Sequence, residues 1–258
     1  MTIDFSELLS LDMSEIKFVS LIVFRVGAAM AFLPVFGEQV VPPRIKLFAT
    51  LSLTALLAPM IWPQIDTLPA NKHWFALIAS EVIVGLLIGL AFRLLVFALQ
   101  IAGTIAAQST SLSQFFGSGL GVDPQPAFST LLVISGLCLA IMLGLHIRVV
   151  ELLLYSYERF PLGANLESSV LTGWVVENVG YAFGLAFSLA GPFVFASLVY
   201  NLGLGAINKA MPQLMVALVG APAISLGGLT LLLIASPILL SVWGRAFVRL
   251  TSPEGIGL

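Results

Sequence analysis

Four ionisable side chains, Arg25, Glu81, Arg93 and Glu177, stand in or at the edges of long apolar runs. A charge in such a place is costly, so it marks either an ion or substrate path or a pair whose partners fix helix packing. Read as a path, Glu81, Arg93 and Glu177 would serve a stand-alone, ion-coupled secondary transporter. Read as pairs, they would lock neighbouring helices or subunits together. The rest of the chemical inventory is sparse. His73 and His146 are the only histidines, and the sequence has no Ser, His and Asp arrangement, no HExxH and no P-loop. Cys138, the only cysteine, lies inside an apolar run as a packing residue, which leaves neither a disulfide framework nor a metal motif. These residues describe a protein that is not an enzyme and calls for no cofactor and no metal.

The elements that must position these charges are membrane helices. Of the 258 residues, 59% are hydrophobic and 9% charged, with a mean hydropathy of +1.07; an ordinary soluble domain carries roughly 25% charged residues. A formal net charge of −2 and a pI near 5.6, without any basic cluster, argue against nucleic acid as a partner. The apolar residues fall into runs of membrane length, with room for about six or seven helices and no stretch left for a soluble domain. Residues 1–258 therefore read as a single all-α membrane domain, with residues 1–15 a retained acidic segment bearing Asp4, Glu7, Asp12 and Glu15.

The first run, about Ile16 to Phe36, ends at Pro34 and Gly37, and a turn with Pro42, Pro43, Arg44 and Lys46 follows. The second, about Leu47 to Trp62, is closed by Pro59 and Pro63; Trp62 and Trp74 flank the next loop like interfacial anchors. From Phe75 the chain is apolar to Ala107, longer than one crossing needs. On this run Gly85 and Gly89 share a helical face with Glu81 and Arg93, a spacing that lets two backbones approach closely. A fourth run spans about Ala127 to Leu145, followed by a less apolar stretch, His146 to Gly173. The fifth, about Trp174 to Tyr200, is broken at Gly191 and Pro192, and a turn is expected from Asn201 to Pro212. The last, about Leu214 to Trp243, reads as one kinked helix or a hairpin of two halves. With six spans assumed, Lys17, Lys72, Arg148, Arg159, Arg245 and Arg249 fall on one side and Arg44, Lys46 and Lys209 on the other, too slight a bias to orient the chain.

Between the third and fourth runs lies a long loop, residues 108–126. Its centre, Ser113-Gln114-Phe115-Phe116-Gly117-Ser118-Gly119-Leu120-Gly121-Val122-Asp123-Pro124, combines glycines that permit sharp backbone excursions with apolar side chains a solvated loop does not need. Two roles fit: a mobile plug for a lumen, or a loop packed permanently on protein or lipid.

Several blocks, taken in order, resemble the FliR family of type III export-gate subunits, flagellar and injectisome alike, over about Phe18 to Val248. They are Phe24-Arg25 with Pro34-Val35-Phe36-Gly37, Pro42, Pro43 and Arg44; Glu81, Gly85 and Gly89 leading to Gly103; Asp123-Pro124 with Pro126; and Tyr157-Glu158-Arg159-Phe160-Pro161-Leu162-Gly163. The most specific is Asn201-Leu202-Gly203-Leu204-Gly205, then Lys209, Met211-Pro212-Gln213 and Gly220-Ala221-Pro222. Lys209 stands where the family leads one to expect arginine, a change that keeps the charge and loses a bidentate contact. The resemblance implies broken helical hairpins that wind into a helical export-gate complex with FliP and FliQ, with FlhB and FlhA as further neighbours. It implies a bacterial inner-membrane location at the flagellar basal body, with the core projecting to the periplasmic side and much apolar surface buried between subunits instead of facing lipid. The assembled pore passes unfolded flagellar subunits, and the loop looks like the plug: Phe115, Phe116, Leu120 and Val122 as contacts, Gly117, Gly119 and Gly121 as hinges, Asp123 and Pro124 as its end.

Overall fold

A computed structural model describes residues 13–37, 41–67, 73–110, 127–211 and 216–252, with backbone alone at 66–67 and 216–221. Among these residues every regular element is helical. Helix α1 spans Met13–Phe32, with Glu15 placing a negative charge against the positive end of the helix dipole. It stops short of the expected Phe36 because Pro34 has no amide to donate and restricts the residue before it. The chain then turns through Val35, whose φ of 74° is unusual for a β-branched residue. Gly37 closes the turn by donating its amide to the Leu33 carbonyl at 2.6 Å. A β-carbon on Gly37 would overlap the Ala31 carbonyl oxygen, so the turn requires glycine.

Helix α2, Pro43–Ile61, starts with proline in its first turn, where a missing amide costs nothing. It runs on through Pro59 into a 3₁₀ turn, Trp62–Thr67. Helix α3, Trp74–Ser109, has 36 residues. Helices α4, Ala127–Met142, and α5, Leu145–Arg159, are separated by Gly144 at φ 81°. The stretch from His146 thus begins with a helix that apolar-run reading overlooks. Its apolar residues Leu145, Val149, Leu152 and Leu153 follow a helical period facing inward, while Glu151 and Glu158 face out.

Helix α6, Ser168–Ala210, has 43 residues, and α7, Val216–Leu250, has 35. Two sequence expectations are corrected here. Pro192 does not break α6; a proline deletes one backbone hydrogen bond, and a helix of this length retains the others. The last apolar region takes the first of its two expected forms, one helix that contains Pro222 and Pro237. The turn expected at Asn201 to Pro212 is helical through Ala210, with the Met211 amide still bonded to the Ile207 carbonyl.

Among the described residues, four helices are long and apolar enough to cross a membrane, or up to five if α4 and α5 together form one broken span. At 1.5 Å per residue, α3, α6 and α7 each exceed the ~30 Å of a bilayer's hydrocarbon.

The chain divides into two compact units. The first comprises Met1–Arg93, Gly144–Glu177 and Arg249–Leu258; the second comprises Leu94–Leu143 and Asn178–Val248. In the first, Phe18, Leu21, Ile22 and Val26 of α1 form the core with Leu57, Ile88, Leu153 and Tyr157. In the second, Phe128 packs at 6.0 Å on Phe193, and the buried Trp243 donates its indole N–H to the Leu95 carbonyl at 2.9 Å. Ser129 sits so close to α3 that a β-carbon on Gly103 would overlap its backbone, and its hydroxyl donates to the Gln100 carbonyl at 3.1 Å.

Candidate functional site: a buried ion pair holding a turn

Within the first unit, Arg25 of α1 and Glu81 of α3 are both buried and form an ion pair at 2.7 Å. Their helices approach closely because Gly85 and Gly89 replace side chains with backbone contact. A β-carbon on Gly85 would strike the Arg25 carbonyl, and one on Gly89 the Ala29 carbonyl. The glycine face read from the sequence is therefore spent on an internal α1–α3 crossing.

An ion pair taken out of water survives only if its remaining donors and acceptors are met. Arg25 Nε donates to Glu81 Oε2, Nη1 to the Ser156 hydroxyl at 3.2 Å and Nη2 to the Phe160 carbonyl at 2.9 Å. Glu81 Oε1 accepts the Gly163 amide at 3.0 Å. The guanidinium also lies over the Tyr157 ring, 3.9 Å from its centroid. Arg25 and Glu81 thus hold the two ends of the turn Phe160-Pro161-Leu162-Gly163, one through a carbonyl and the other through an amide. Gly163 takes φ 71°, a conformation glycine adopts without strain. This turn leads from the end of α5 towards α6, so the pair fixes that connection within the first unit.

The structure separates the other two charges from this centre. Arg93 lies twelve residues beyond Glu81 on the same helix, about 18 Å away at the α-helical rise; it is half-buried. Glu177 is exposed on α6. Both Glu81 oxygens are already engaged, by Arg25 and by the Gly163 amide, which is the arrangement of a clamp. His73 and His146 are exposed at helix starts, and no group of three metal-ligating side chains occurs among the described residues.

The remaining residues singled out by sequence are spread over the fold. Pro34 is buried and Phe36 half-buried in the turn after α1, while Pro42 and Arg44 are exposed at the start of α2. Asn201, Gly203 and Lys209 lie on the last turns of α6, where residues 201–211 are exposed on nearly every side. Leu202 and Met211 show 67% and 57% of their surface there, so this apolar end is uncovered by the described residues. Pro222 is exposed on α7. Pro212, Gln213 and the loop residues Phe115, Phe116, Gly117, Gly119, Leu120, Gly121, Val122, Asp123 and Pro124 lie outside the described residues. Sequence reasoning gave Ser156, the Phe160 carbonyl and the Gly163 amide no role. Backbone partners leave no residue signature, although two buried charges on separate helices require polar company from somewhere.

Comparison with known proteins matches most of the chain. Residues 16–250 match the family described as bacterial export proteins, family 1. The flagellar biosynthetic protein FliR of Caulobacter vibrioides is 30% identical over 231 residues, covering 89% of this chain and 92% of that protein. The proteins of the same name from Aquifex aeolicus and Escherichia coli are 28% and 26% identical, covering 84% and 83% of this chain and 84% and 82% of their own lengths. The clamp residues Arg25, Glu81, Ser156, Phe160 and Gly163 all fall inside the matched span, and the chain belongs to family 1 of the bacterial export proteins.

Proposed function

We propose that this chain is a structural and gating subunit of the flagellar type III protein export channel. The observation that carries the reading is a family match running almost end to end, shared with FliR proteins over most of their lengths. Two features of the fold support it. Helices α6 and α7 present large apolar side chains outward, among them Phe187, Phe195, Leu233 and Ile234, a surface that needs lipid or partner subunits to cover it. Buried ionisable groups are engaged in a clamp, as a conduit subunit that performs no catalysis allows.

The chain assembles with FliP and FliQ, with FlhB and FlhA as neighbours. The complex sits in the inner membrane at the flagellar basal body, its core projecting to the periplasmic side. Unfolded flagellar subunits pass through the assembled pore. The glycine-rich segment from Thr110 to Pro126 closes it at rest, with Phe115 and Phe116 excluding ions by forming an apolar constriction. Energy for export comes from the partner proteins.

Co-expression tests the assignment. A tagged version of the chain should purify as a hetero-oligomer with FliP and FliQ, and deletion of its gene should abolish flagella. A stable homodimer with substrate-dependent uptake would return the protein to the transporter class.

A further inference from the structure

Thr110 is the residue at which the chain leaves α3, and it is buried in the second unit. Its amide donates to the Ala106 carbonyl at 3.2 Å, and its hydroxyl turns back to the Ala106 and Ala107 carbonyls at 3.0 and 3.2 Å. The polar end of the side chain is thereby satisfied within its own helix, and the methyl group is left to face α7. Helix α7 receives it at a notch. Its inward row is Ile224, Gly228, Leu232, Ala235 and Leu239, all buried and spaced three or four residues apart. Gly228 is the position of that row without a side chain, and a β-carbon there would overlap the Thr110 methyl carbon. Gly227, its neighbour, is exposed, and a β-carbon there would meet no described atom within 4 Å.

The contact is one that rotation of a side chain cannot relieve. A β-carbon at position 228 would lie 2.7 Å from the Thr110 β-carbon, whereas carbon atoms in ordinary contact stand about 3.5–4.0 Å apart. Filling the notch therefore moves the end of α3 itself, by about 1 Å. That is comparable with the ~1.4 Å radius of water, the scale on which an apolar constriction admits or excludes ions. Where the chain re-enters the fold, Phe128 packs on Phe193 of α6 and Ser129 on the backbone of Gly103 in α3. The return end is thus held by α3 and α6, and Gly228 gives the departure end its hold on α7.

We propose that Gly228 is a positioning residue for channel closure: it seats Thr110 against α7 and so fixes where the chain leaves α3, five residues before Phe115. The proposal rests on the reading that the segment from Thr110 to Pro126 closes the export channel, and adds to it the contact that holds the base of that segment. A notch that only packed helices together would cost assembly when filled and leave the conductance of assembled complexes as it was. A positioning contact changes the conductance of complexes that assemble normally.

The test uses cells that make the complete export complex, with co-purification of FliP and FliQ as the measure of assembly and membrane potential as the measure of closure. Gly228→Ala and Thr110→Ala are expected to assemble in parental amounts and to lower the potential towards the level reached when Phe115 to Gly121 are deleted. Gly227→Ala adds the same atom to an exposed side of α7, and Thr110→Val keeps the methyl group while losing the hydroxyl; both should hold the parental potential. An unchanged potential in assembled Thr110→Ala complexes overturns the proposal, as does an equal fall in Gly227→Ala. Thr110→Ala adds no atom to the fold, so it decides even if Gly228→Ala does not assemble. Loss of assembly in both makes the contact a packing element and overturns the positioning role. A deletion that itself leaves the potential unchanged defeats the closing role of the segment, and the anchor falls with it. A deletion that depolarises cells, beside sealed Thr110→Ala and Gly228→Ala complexes, defeats the anchor alone.

Discussion

Replacing Glu81 by glutamine leaves the Arg25 guanidinium buried without an anion, while Ser156 and the Phe160 carbonyl still hold it in place. Breaking one side of a buried pair costs about 3–5 kcal/mol, whereas replacing both sides by apolar residues of similar volume is often close to neutral. Glu81→Gln should therefore lower the thermal stability of the purified subunit sharply, and Arg25→Met combined with Glu81→Leu should recover much of the loss. A stable Glu81→Gln protein that assembles normally yet loses proton-driven export would show the carboxylate to be a relay. Tyr157 separates two further effects. Its hydroxyl is buried and finds no hydrogen-bond partner among the described residues, whereas its ring lies under the guanidinium. Tyr157→Phe removes an unsatisfied group, whose burial costs about 1–3 kcal/mol, and should match or exceed the parent in a melting experiment. Tyr157→Leu forfeits the ring contact, about 0.5–2 kcal/mol, and should melt lower.

At the scale of elements, the glycines fall into two classes that substitution distinguishes. Gly85 and Gly103 sit where helices cross with backbone against backbone, so Gly85→Ala or Gly103→Ala must push helices apart, at about 1–3 kcal/mol each. Gly184 on α6 faces open space, so Gly184→Ala should leave the isolated subunit intact or raise its helix stability by about 1 kcal/mol. If partner helices use that opening, Gly184→Leu should reduce recovery of the FliP and FliQ complex while the subunit alone melts as before. Helices α1 to α4 were legible in the sequence because each is a continuous apolar run. Helix α5 was not, because Arg148, Glu151, Glu158 and Arg159 break the run although the inward period is intact. The prolines misled in the other direction. Pro59 and Pro192 read as breaks, but local propensity yields where a long helix can lose one hydrogen bond and bend. Of the clamp, the sequence disclosed the two charges and the glycines that bring them near. It could not disclose which charges pair, since Arg93 shares a helix face with Glu81 while Arg25 lies 56 residues away along the chain.

For the whole molecule, a conduit wide enough for polypeptide would dissipate the ion gradient unless something closed it at rest. Deleting Phe115 to Gly121 is expected to leave complex formation intact and to make cells permeable to small ions, read as a fall in membrane potential. Unchanged potential with a normally assembled complex would remove the plug role from this segment. The weak charge bias across the expected spans is understandable once three helices overrun a bilayer, because their ends need not lie at its surfaces. The clamp also has a consequence for how the protein is made. Arg25 leaves the ribosome 56 residues before Glu81 and 135 residues before Phe160. At roughly 5–20 residues per second, the second interval is on the order of ten seconds. For that time α1 carries a cation without its final anchors, so the nascent first helix should linger beside the insertion machinery or at the water boundary, and settle only once the turn ending at Gly163 has been synthesised.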